Sequence, residues 1–327
     1  MTQSFTRRGL LQAVALTALA DAPAWAQSGI YPTGPVRFIL PFPPGGPSDM
    51  IARVLVPSFD KRFGKPFLVE SRPGAASNIG TAFVARSAPD GHTLLIPANN
   101  FMINASLYQT LGYDPIRDFA PITELAASPC VFVANAQTGI KTINDLIARD
   151  RADPGKLNYS SAGVGTPNHM AFELFNAQAK LNIVHVPFQG GAPSALAVVA
   201  GTTQIASSLM PNVLQHIESG ALNALAVTGS ERAADLPSTP TLMELGYKDI
   251  AVEIVFMLLA PAGTPAPIIE RLYNEARDVL NGEEARERMK QFGFTVVTRG
   301  PEACKARIEK ELALFAKVVA DLKLPKR

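Results

Sequence analysis

Strand-like and helix-like runs alternate through almost the whole chain, and this alternation limits the folds open to it. Short apolar runs, such as VRFIL from Val36, are each followed by a stretch with helical periodicity. Near-continuous apolar strands separated by helices are typical of parallel sheets with helices on both faces. The sequence therefore predicts an α/β fold.

Two segments that carry turn residues, 119–129 and 237–250, divide this pattern. They separate an N-terminal α/β part, a central α/β part, and a C-terminal part with too few strands for a sheet of its own. The simplest solution inserts the central part into a discontinuous first domain. We therefore expect 27–125 plus 251–327 to form domain 1 and 126–250 to form domain 2, two doubly wound α/β domains joined by a hinge.

The first 26 residues have the features of an export signal. Arg7 and Arg8 precede an apolar stretch of about 12 residues, shorter than the roughly 20 residues of a membrane-spanning helix. Small residues at Ala24 and Ala26 predict cleavage before Gln27. The adjacent arginines fit a twin-arginine signal and an ordinary secretory signal equally well. Either route places the mature chain outside the cytoplasm.

The charge of the chain limits the partners it can bind, and its two cysteines bear on whether it has a disulfide. The chain has a formal net charge of +2, and no basic run is dense enough to follow nucleic acid or an acidic lipid surface. Cys130 lies in an apolar run and Cys304 in a helical pattern. Two separate buried thiols are therefore favoured over a disulfide.

Glycine and proline occur together at three points where a strand leads into a helix. These loops are PFPPGGPSD with Gly45 and Gly46, SAGVGTPNH with Gly163, Gly165 and Thr166, and PFQGGAPS with Gly190. Glycine lets the backbone approach a ligand closely, and a helix N-terminus carries about half a positive charge. In open α/β sheets such loops surround the ligand. Each loop alone could be a tight turn, but three of them in two domains predict an anion clamp.

A small carboxylate fits this clamp better than a phosphate. Residues 74–82 lack the Gly-Lys-Ser/Thr ending of a P-loop, and Asn168 stands where a dinucleotide fingerprint needs its third glycine. One helix N-terminus and a few amides can satisfy the two oxygens of a carboxylate.

Motifs for metal binding or catalysis are incomplete. The four histidines lack metal-ligand spacing, and neither Cys-x-x-Cys nor Gly-x-Ser-x-Gly occurs. Ser161 and His169 would form a nucleophile and base without an acid to orient the histidine. The sequence predicts no metal site, no cofactor and no catalytic residue.

Seven stretches carry a family resemblance that covers essentially the whole mature chain. They are PFPPGGPSDMIAR, VESRPGAASNIGTAFVARSAPDGHTLL, FAPITELA, PGKLNYSSAGVGTPNHMAFELF, VPFQGGAPSALAVVAGT, LNALAVTGSERAADLPSTPTLMELG and LLAPAGTPAPIIERL. In this order they resemble the receptors of tripartite tricarboxylate transporters, the Bug proteins. The resemblance implies a periplasmic binding protein, a type II-like clamp with a small carboxylate in the interdomain cleft. It also implies delivery to membrane subunits driven by an ion gradient. We expect a monomer.

The resemblance also implies a set of ligand-binding residues. Matched by position, they are Phe42, Gly45, Gly46, Ser77 and Asn78 in domain 1, and Ser161, Gly163, Gly165, Thr166, His169, Phe188 and Gly190 in domain 2. Asn99 and Asn100 could add amide contacts or cap a turn. We expect Asp49 to cap its helix, because a carboxylate there would repel an anionic ligand.

Two departures from the family pattern bear on the ligand. The family often has lysine at the position of Gln189 and aspartate near that of Ser208, and in members that bind amino acids the aspartate is suited to meet the ammonium group. Neutral residues at both positions favour a carboxylate that is not an amino acid, with an uncharged tail that is hydroxylated or aromatic. We therefore add both residues to the predicted site.

Two other functions are compatible with parts of this pattern. A sensory binding protein that reports ligand occupancy to a membrane regulator would need the same site. A secreted hydrolase would use Ser161 and His169. The resemblance favours the transport receptor.

Overall fold

The structure is a computed structural model that describes residues 31–248, 250, 252–321, 324 and 326, so the predicted signal at 1–26 lies outside the described residues. The strands are β1 (Val36–Leu40), β2 (Phe67–Ser71), β3 (Thr93–Leu95), β4 (Phe119–Asn135), β5 (Asn158–Ser161), β6 (Val184–Pro187), β7 (Ile205–Leu209), β8 (Leu222–Val227), β9 (Glu253–Pro261) and β10 (Thr295–Val296). The α-helices are α1 (Pro47–Phe63), α2 (Asn78–Ala85), α3 (Asn100–Leu107), α4 (Ile143–Ala152), α5 (Pro167–Ala179), α6 (Gly191–Val199), α7 (Met210–Glu218), α8 (Ala266–Leu280), α9 (Glu283–Gln291) and α10 (Pro301–Asp321).

The strands form one continuous sheet in the order β2-β1-β3-β9-β4-β7-β5-β6, with β8 and β10 also paired to β4. Parallel pairing joins β1 to β2 and β3 at one end, and β5 to β6 and β7 at the other. Between these two parallel groups, β9 and β4 run antiparallel to their neighbours. The predicted α/β fold is confirmed, and the antiparallel centre is a feature that the alternation did not predict.

Strand β4 connects the two halves of the molecule. Its first part, as far as Pro129, pairs with β9, and the part from Cys130 onward pairs with β7 and β8. We call the side with β1–β3, β9 and α1–α3 lobe 1, and the side with β5–β8 and α4–α7 lobe 2.

The prediction of a turn-rich linker at 119–129 is wrong, because this segment is strand. Pro121 and Pro129 are tolerated because the first half of β4 is paired mainly on one side, by β9. On its other side, β10 pairs only with Ala126 and Ala127, so neither proline lies opposite β10. Register shifts after Pro121 and after Glu124 absorb the irregularity.

Aromatic side chains fill the core of each lobe. In lobe 1, Phe59 packs edge-on against Phe67, with ring centroids 5.0 Å apart. In lobe 2, Tyr159 stacks on Phe172, with centroids 3.9 Å apart, and the Tyr159 hydroxyl donates a 2.7 Å hydrogen bond to Glu173. Both pairs belong to one buried apolar cluster that continues through the central sheet from lobe 1 to lobe 2.

A cluster of charged residues joins β4 and β9, the two strands that run between the lobes, to α10, and we call it the hinge cluster. It consists of Glu124 on β4, Glu253 on β9, Arg299, and Arg307 and Glu311 on α10. Glu124 Oε2 lies 3.3 Å from Arg299 Nη1 and 3.4 Å from Arg307 Nη1. Burial of the Glu124 side chain raises the pKa of its carboxyl, against the opposing effect of the two arginines.

Cys130 and Cys304 are both free and buried, as the sequence predicts. Burial raises the pKa of the Cys130 thiol to about 12, so this thiol stays protonated near neutral pH. Among the described residues, no helix is both long enough and apolar enough to cross a bilayer.

Candidate functional site

A cavity of about 300 Å³ lies between the two lobes. Lobe 1 contributes 42–44 and 46–48 from one loop, together with Ala98, Asn100, and Ile254 and Phe256 of β9. Lobe 2 contributes three segments, which are Ala162 with Thr166–Asn168, Gln189–Pro193, and Leu209 with Asn212. The three glycine-proline loops that the sequence predicts as a clamp therefore meet at one cavity.

Five α-helices begin at this cavity, namely α1 and α3 from lobe 1 and α5, α6 and α7 from lobe 2. The first N–H groups of a helix have no partner within it, and each N-terminus carries about half a positive charge. None of the described lining residues has a charged side chain. An anion in this cavity would therefore meet helix dipoles and not the side chain of a lysine or arginine of the described lining.

The lobes touch on both sides of the cavity. Gly165 lies against α3 so closely that a Cβ atom at this position would be 2.7 Å from Asn104 Oδ1 and 2.9 Å from Leu107 Cδ1. On the other side, a Cβ atom at Gly190 would be 3.9 Å from the ring of Pro43. The two lobes are therefore in contact on both sides of the cavity, and Gly165 has no room for a side chain.

Three internal hydrogen bonds shape the start of α5. The Thr166 hydroxyl donates to the carbonyl of Gly163 at 2.7 Å, and it accepts from the backbone N–H of His169 at 3.4 Å. The backbone N–H of Gly165 also donates to His169 Nδ1. His169 therefore stabilises the loop that precedes α5.

Asp49 has a similar structural role at the start of α1. Its carboxylate accepts a 2.9 Å hydrogen bond from the backbone N–H of Gly45 and pairs with Arg53 at 3.0 Å. Because the Gly45 N–H is bound to Asp49, it is not available to a ligand in this structure. Asp49 therefore fixes the loop before α1 instead of capping a helix N–H as expected, and it does not line the cavity.

Five of the predicted site residues line the cavity, and they are Phe42, Gly46, Thr166, Gln189 and Gly190. Four more belong to the same loops without lining it, and they are Gly45, Gly163, Gly165 and Phe188. Gly163 and Gly165 have φ angles of +133° and +80°, which glycine adopts without strain, so they set the path of the loop.

The structure places three predicted residues of lobe 1 away from the cavity. Asn99 donates to the carbonyl of Glu253 and to Glu311 Oε2, at 3.0 and 2.9 Å, so it joins β9 and α10. Asn78 Oδ1 accepts from Asn104, and Ser77 Oγ accepts from Asn100. These side chains stabilise the wall behind the cavity.

Three predicted residues of lobe 2 also lie outside the lining. Ser161 is fully buried, and its hydroxyl lies 2.7 Å from Nε2 of His185 rather than against His169, the partner that the hydrolase hypothesis requires. His169 packs against His185 with ring centroids 4.3 Å apart. Ser208 is buried within β7.

Asn100, which the sequence suggests together with Asn99 as an amide contact, lines the cavity. The sequence did not identify three other polar residues of the lining, which are Ser48, Asn168 and Asn212. Each is one of the first three residues of a helix, next to a loop or cap that the sequence analysis did consider. Their positions at helix starts are the sequence signal that could have found them. The apolar floor of Ile254 and Phe256 was also missed, because it comes from β9, distant in sequence from the other lining segments.

A family model described as "Tripartite tricarboxylate transporter family receptor" matches residues 51–324. Among curated proteins, BugT of Bordetella pertussis is 33% identical over 306 residues, which cover 93% of this chain and 94% of BugT.

Solved structures of similar proteins superpose closely. The periplasmic binding protein BugD has a TM-score of 0.85 and 32% identity, and the match covers 91% of this chain and all of BugD. The Rhodopseudomonas palustris proteins Rpa4515, with adipate, and MatC, with bound malate, have TM-scores of 0.87 and 0.83 and identities of 28% and 29%. Those matches cover 91% and 88% of this chain and all of each neighbour.

The fold of these neighbours is the two-domain α/β clamp of periplasmic binding proteins, in agreement with the two lobes around the cavity. The family model and BugT each match most of the chain. The chain therefore belongs to the tripartite tricarboxylate transporter receptors, the Bug family of periplasmic solute-binding proteins.

Proposed function

We propose that this receptor captures a small carboxylate that is not an amino acid and delivers it to the membrane subunits of a tripartite transporter. The observation that carries the proposal is the convergence of five helix N-termini on a cavity whose described lining has no charged side chain. Delivery to membrane subunits rests on the family of the chain.

This environment favours an anion and disfavours a cation. A carboxylate at helix N-termini gains hydrogen bonds from unpaired N–H groups and a favourable interaction with the helix dipoles. An ammonium group would meet the same positive potential with no carboxylate in the described lining to offset its desolvation. Amino acids should therefore bind more weakly than acids with the same carbon skeleton.

The ligands of two structural neighbours support this class of ligand. Rpa4515 was solved with adipate and MatC with malate, both carboxylic acids without an amino group. Both proteins have the same clamp as this chain.

Ligand-driven closure of two domains is the mechanism that we propose. The domain division of 27–125 plus 251–327 against 126–250 is supported by the crossing strands β4 and β9, which lie close to its boundaries. Micromolar affinity corresponds to about 8 kcal/mol. Shifting a clamp from almost fully open to almost fully closed takes about 5.5 kcal/mol of differential affinity. Binding alone can therefore drive closure.

The mature receptor in this proposal begins at Gln27, after export and removal of 1–26, and acts as a monomer in the periplasm. N-terminal sequencing of the exported protein tests the cleavage site. Loss of uptake of the bound acid when the receptor gene is deleted, with the membrane subunits intact, distinguishes transport from sensing.

A thermal-shift panel on the mature protein tests the class of ligand. The panel pairs acids with amino acids of the same skeleton, such as succinate with aspartate and glutarate with glutamate. A ligand at 100 times its Kd should add about 2.7 kcal/mol of stability, which is several degrees of Tm. We expect stabilisation by at least one acid and a smaller shift with its amino acid. A shift with amino acids alone would contradict the proposal.

A further inference from the structure

Asn168 presents its carboxamide at the cavity without a hydrogen-bond partner among the described residues. It is the second residue of α5, only 3% exposed, and it lines the cavity. Its polar atoms remain accessible from the cavity, whereas the carboxamides of Asn78, Asn99 and Asn104 each form at least one hydrogen bond within lobe 1 and the neighbouring elements.

The backbone around Asn168 is fixed on both sides. The Ser207 hydroxyl on β7 donates a 2.8 Å hydrogen bond to the Asn168 carbonyl, and Thr166 caps the helix two residues earlier. Pro167 restricts the backbone between them. The Cα position of Asn168 is therefore fixed at the cavity wall before a ligand binds, so the carboxamide can reach a ligand without a change in the backbone.

A carboxamide has both a donor and an acceptor, and a ligand that covers it in a closed cavity must satisfy both. A carboxylate accepts hydrogen bonds only, so it can pair with the amide nitrogen but leaves Oδ1 without a donor. A hydroxyl group can donate to Oδ1. The affinity difference for one buried polar group left unpaired is about 5- to 100-fold.

We propose that Asn168 determines specificity by selecting a hydroxylated carboxylic acid over the same acid without the hydroxyl group. This inference rests on the proposed function, because it assumes that the cavity binds a carboxylate. It adds the chemical group beside the carboxylate and the residue that recognises it.

Isothermal titration with pairs of acids that differ by one hydroxyl group tests this inference. Suitable pairs are propanoate with lactate, succinate with malate, and 3-phenylpropanoate with 3-phenyllactate. For at least one pair, the wild-type protein should bind the hydroxylated acid about 5- to 100-fold more tightly. Asn168→Leu should remove this preference, so that both members of the pair bind with similar Kd.

Asn144→Leu is the matched control. Asn144 is also the second residue of a helix in lobe 2, but it is exposed on α4 and does not line the cavity. This variant should retain the wild-type preference. If Asn168→Leu does not give a cooperative thermal transition, Asn168→Ala removes the same polar atoms with a smaller side chain.

The outcomes separate the two proposals. If acids bind the wild-type protein but no pair shows a preference, or if both Asn168 variants retain the preference, the role of Asn168 is overturned and the receptor function stands. If no acid of any pair or of the thermal-shift panel binds, the carboxylate function fails and this inference fails with it.

Discussion

The cavity and the hinge cluster lie close together in the molecule, but they use charge in opposite ways. In the described lining of the cavity no side chain is charged, although its proposed ligand is an anion. The hinge cluster brings together three carboxylates and two guanidinium groups that contact no ligand in our account. Ion pairs join β4 and β9 to α10, and helix N-termini face the cavity.

The difference indicates why an anion receptor can do without a cationic side chain. Lysine and arginine lose conformational entropy when they are ordered around a ligand, whereas helix N–H groups are already fixed by the fold. The helix N-termini of two lobes can also be brought together by a hinge. In this account the cavity is complete only in the closed form, and the charged residues serve the strands between the lobes.

The largest expected effect comes from separating the two walls of the cavity. Gly165→Ala would place a methyl group 2.7 Å from Asn104 Oδ1 and 2.9 Å from Leu107 Cδ1. We expect Kd to rise about 10- to 100-fold, because closure must displace these atoms, at a cost of roughly 1.4 to 2.7 kcal/mol. Isothermal titration with the acid found in the panel measures the change.

Gly139→Ala is the control for backbone strain. Gly139 has a φ angle of +75°, similar to the +80° of Gly165, but a Cβ atom there would have no neighbour within 4 Å. Both variants should lose a similar amount of stability, and only Gly165→Ala should lose affinity. Equal affinity of the two variants would show that Gly165 does not take part in closure.

A charged side chain in the cavity should produce the next largest effect. Gln189 is exposed at the cavity, so it can be replaced without burying a charge. We expect Gln189→Lys to tighten carboxylate binding and Gln189→Glu to weaken it, each by about 3- to 10-fold at low ionic strength, with smaller effects at high salt.

Gln137→Lys adds the same charge at a distant position in lobe 2. Gln137 follows the end of β4 that pairs with the start of β7, whereas the cavity lies at the other end of β7. This control should leave Kd unchanged. If it tightens binding as much as Gln189→Lys, net charge rather than the cavity is responsible.

The smallest expected effect is on the pH dependence of stability at the hinge. Burial raises the pKa of Glu124 above its ordinary value of 4.5. Because the folded protein binds this proton more tightly than the unfolded chain does, protonated Glu124 adds to the free energy of unfolding. This contribution is fully present below about pH 4.5 and is lost as pH rises through the folded-state pKa. Glu124→Gln should flatten the fall in Tm between pH 4 and pH 8. Glu302→Gln, an exposed change on α10, should follow the wild-type profile, and identical profiles for all three proteins would contradict this assignment.

The sequence predicted the parts of the fold and site that depend on local pattern. Strand and helix periodicity gave the α/β fold, and the three glycine-proline loops reach the cavity as predicted because each combines a required turn with a helix start. The prediction of a linker at 119–129 was wrong, because proline is compatible with a strand that is incompletely paired on one side.

The remaining site residues depend on helix phase and on contacts between distant segments. Asn99 and Asn100 are adjacent in sequence, yet the start of α3 turns Asn99 towards α10 and places Asn100 at the cavity. Adjacent residues differ by about 100° around a helix. An error of one residue in the predicted helix start therefore changes which of two neighbouring side chains is expected to face the cavity. The role of Asn168 could be inferred only from its burial and missing partners.

Backbone dipoles at the cavity recognise the negative charge of the ligand in the proposed function. A titration of the mature protein with the best acid of the panel and with its primary amide, which has nearly the same shape and no charge, tests this directly. We expect the acid to bind about 100-fold more tightly than the amide. Equal binding of the two compounds would contradict this expectation, because the helix N-termini would then contribute no charge recognition.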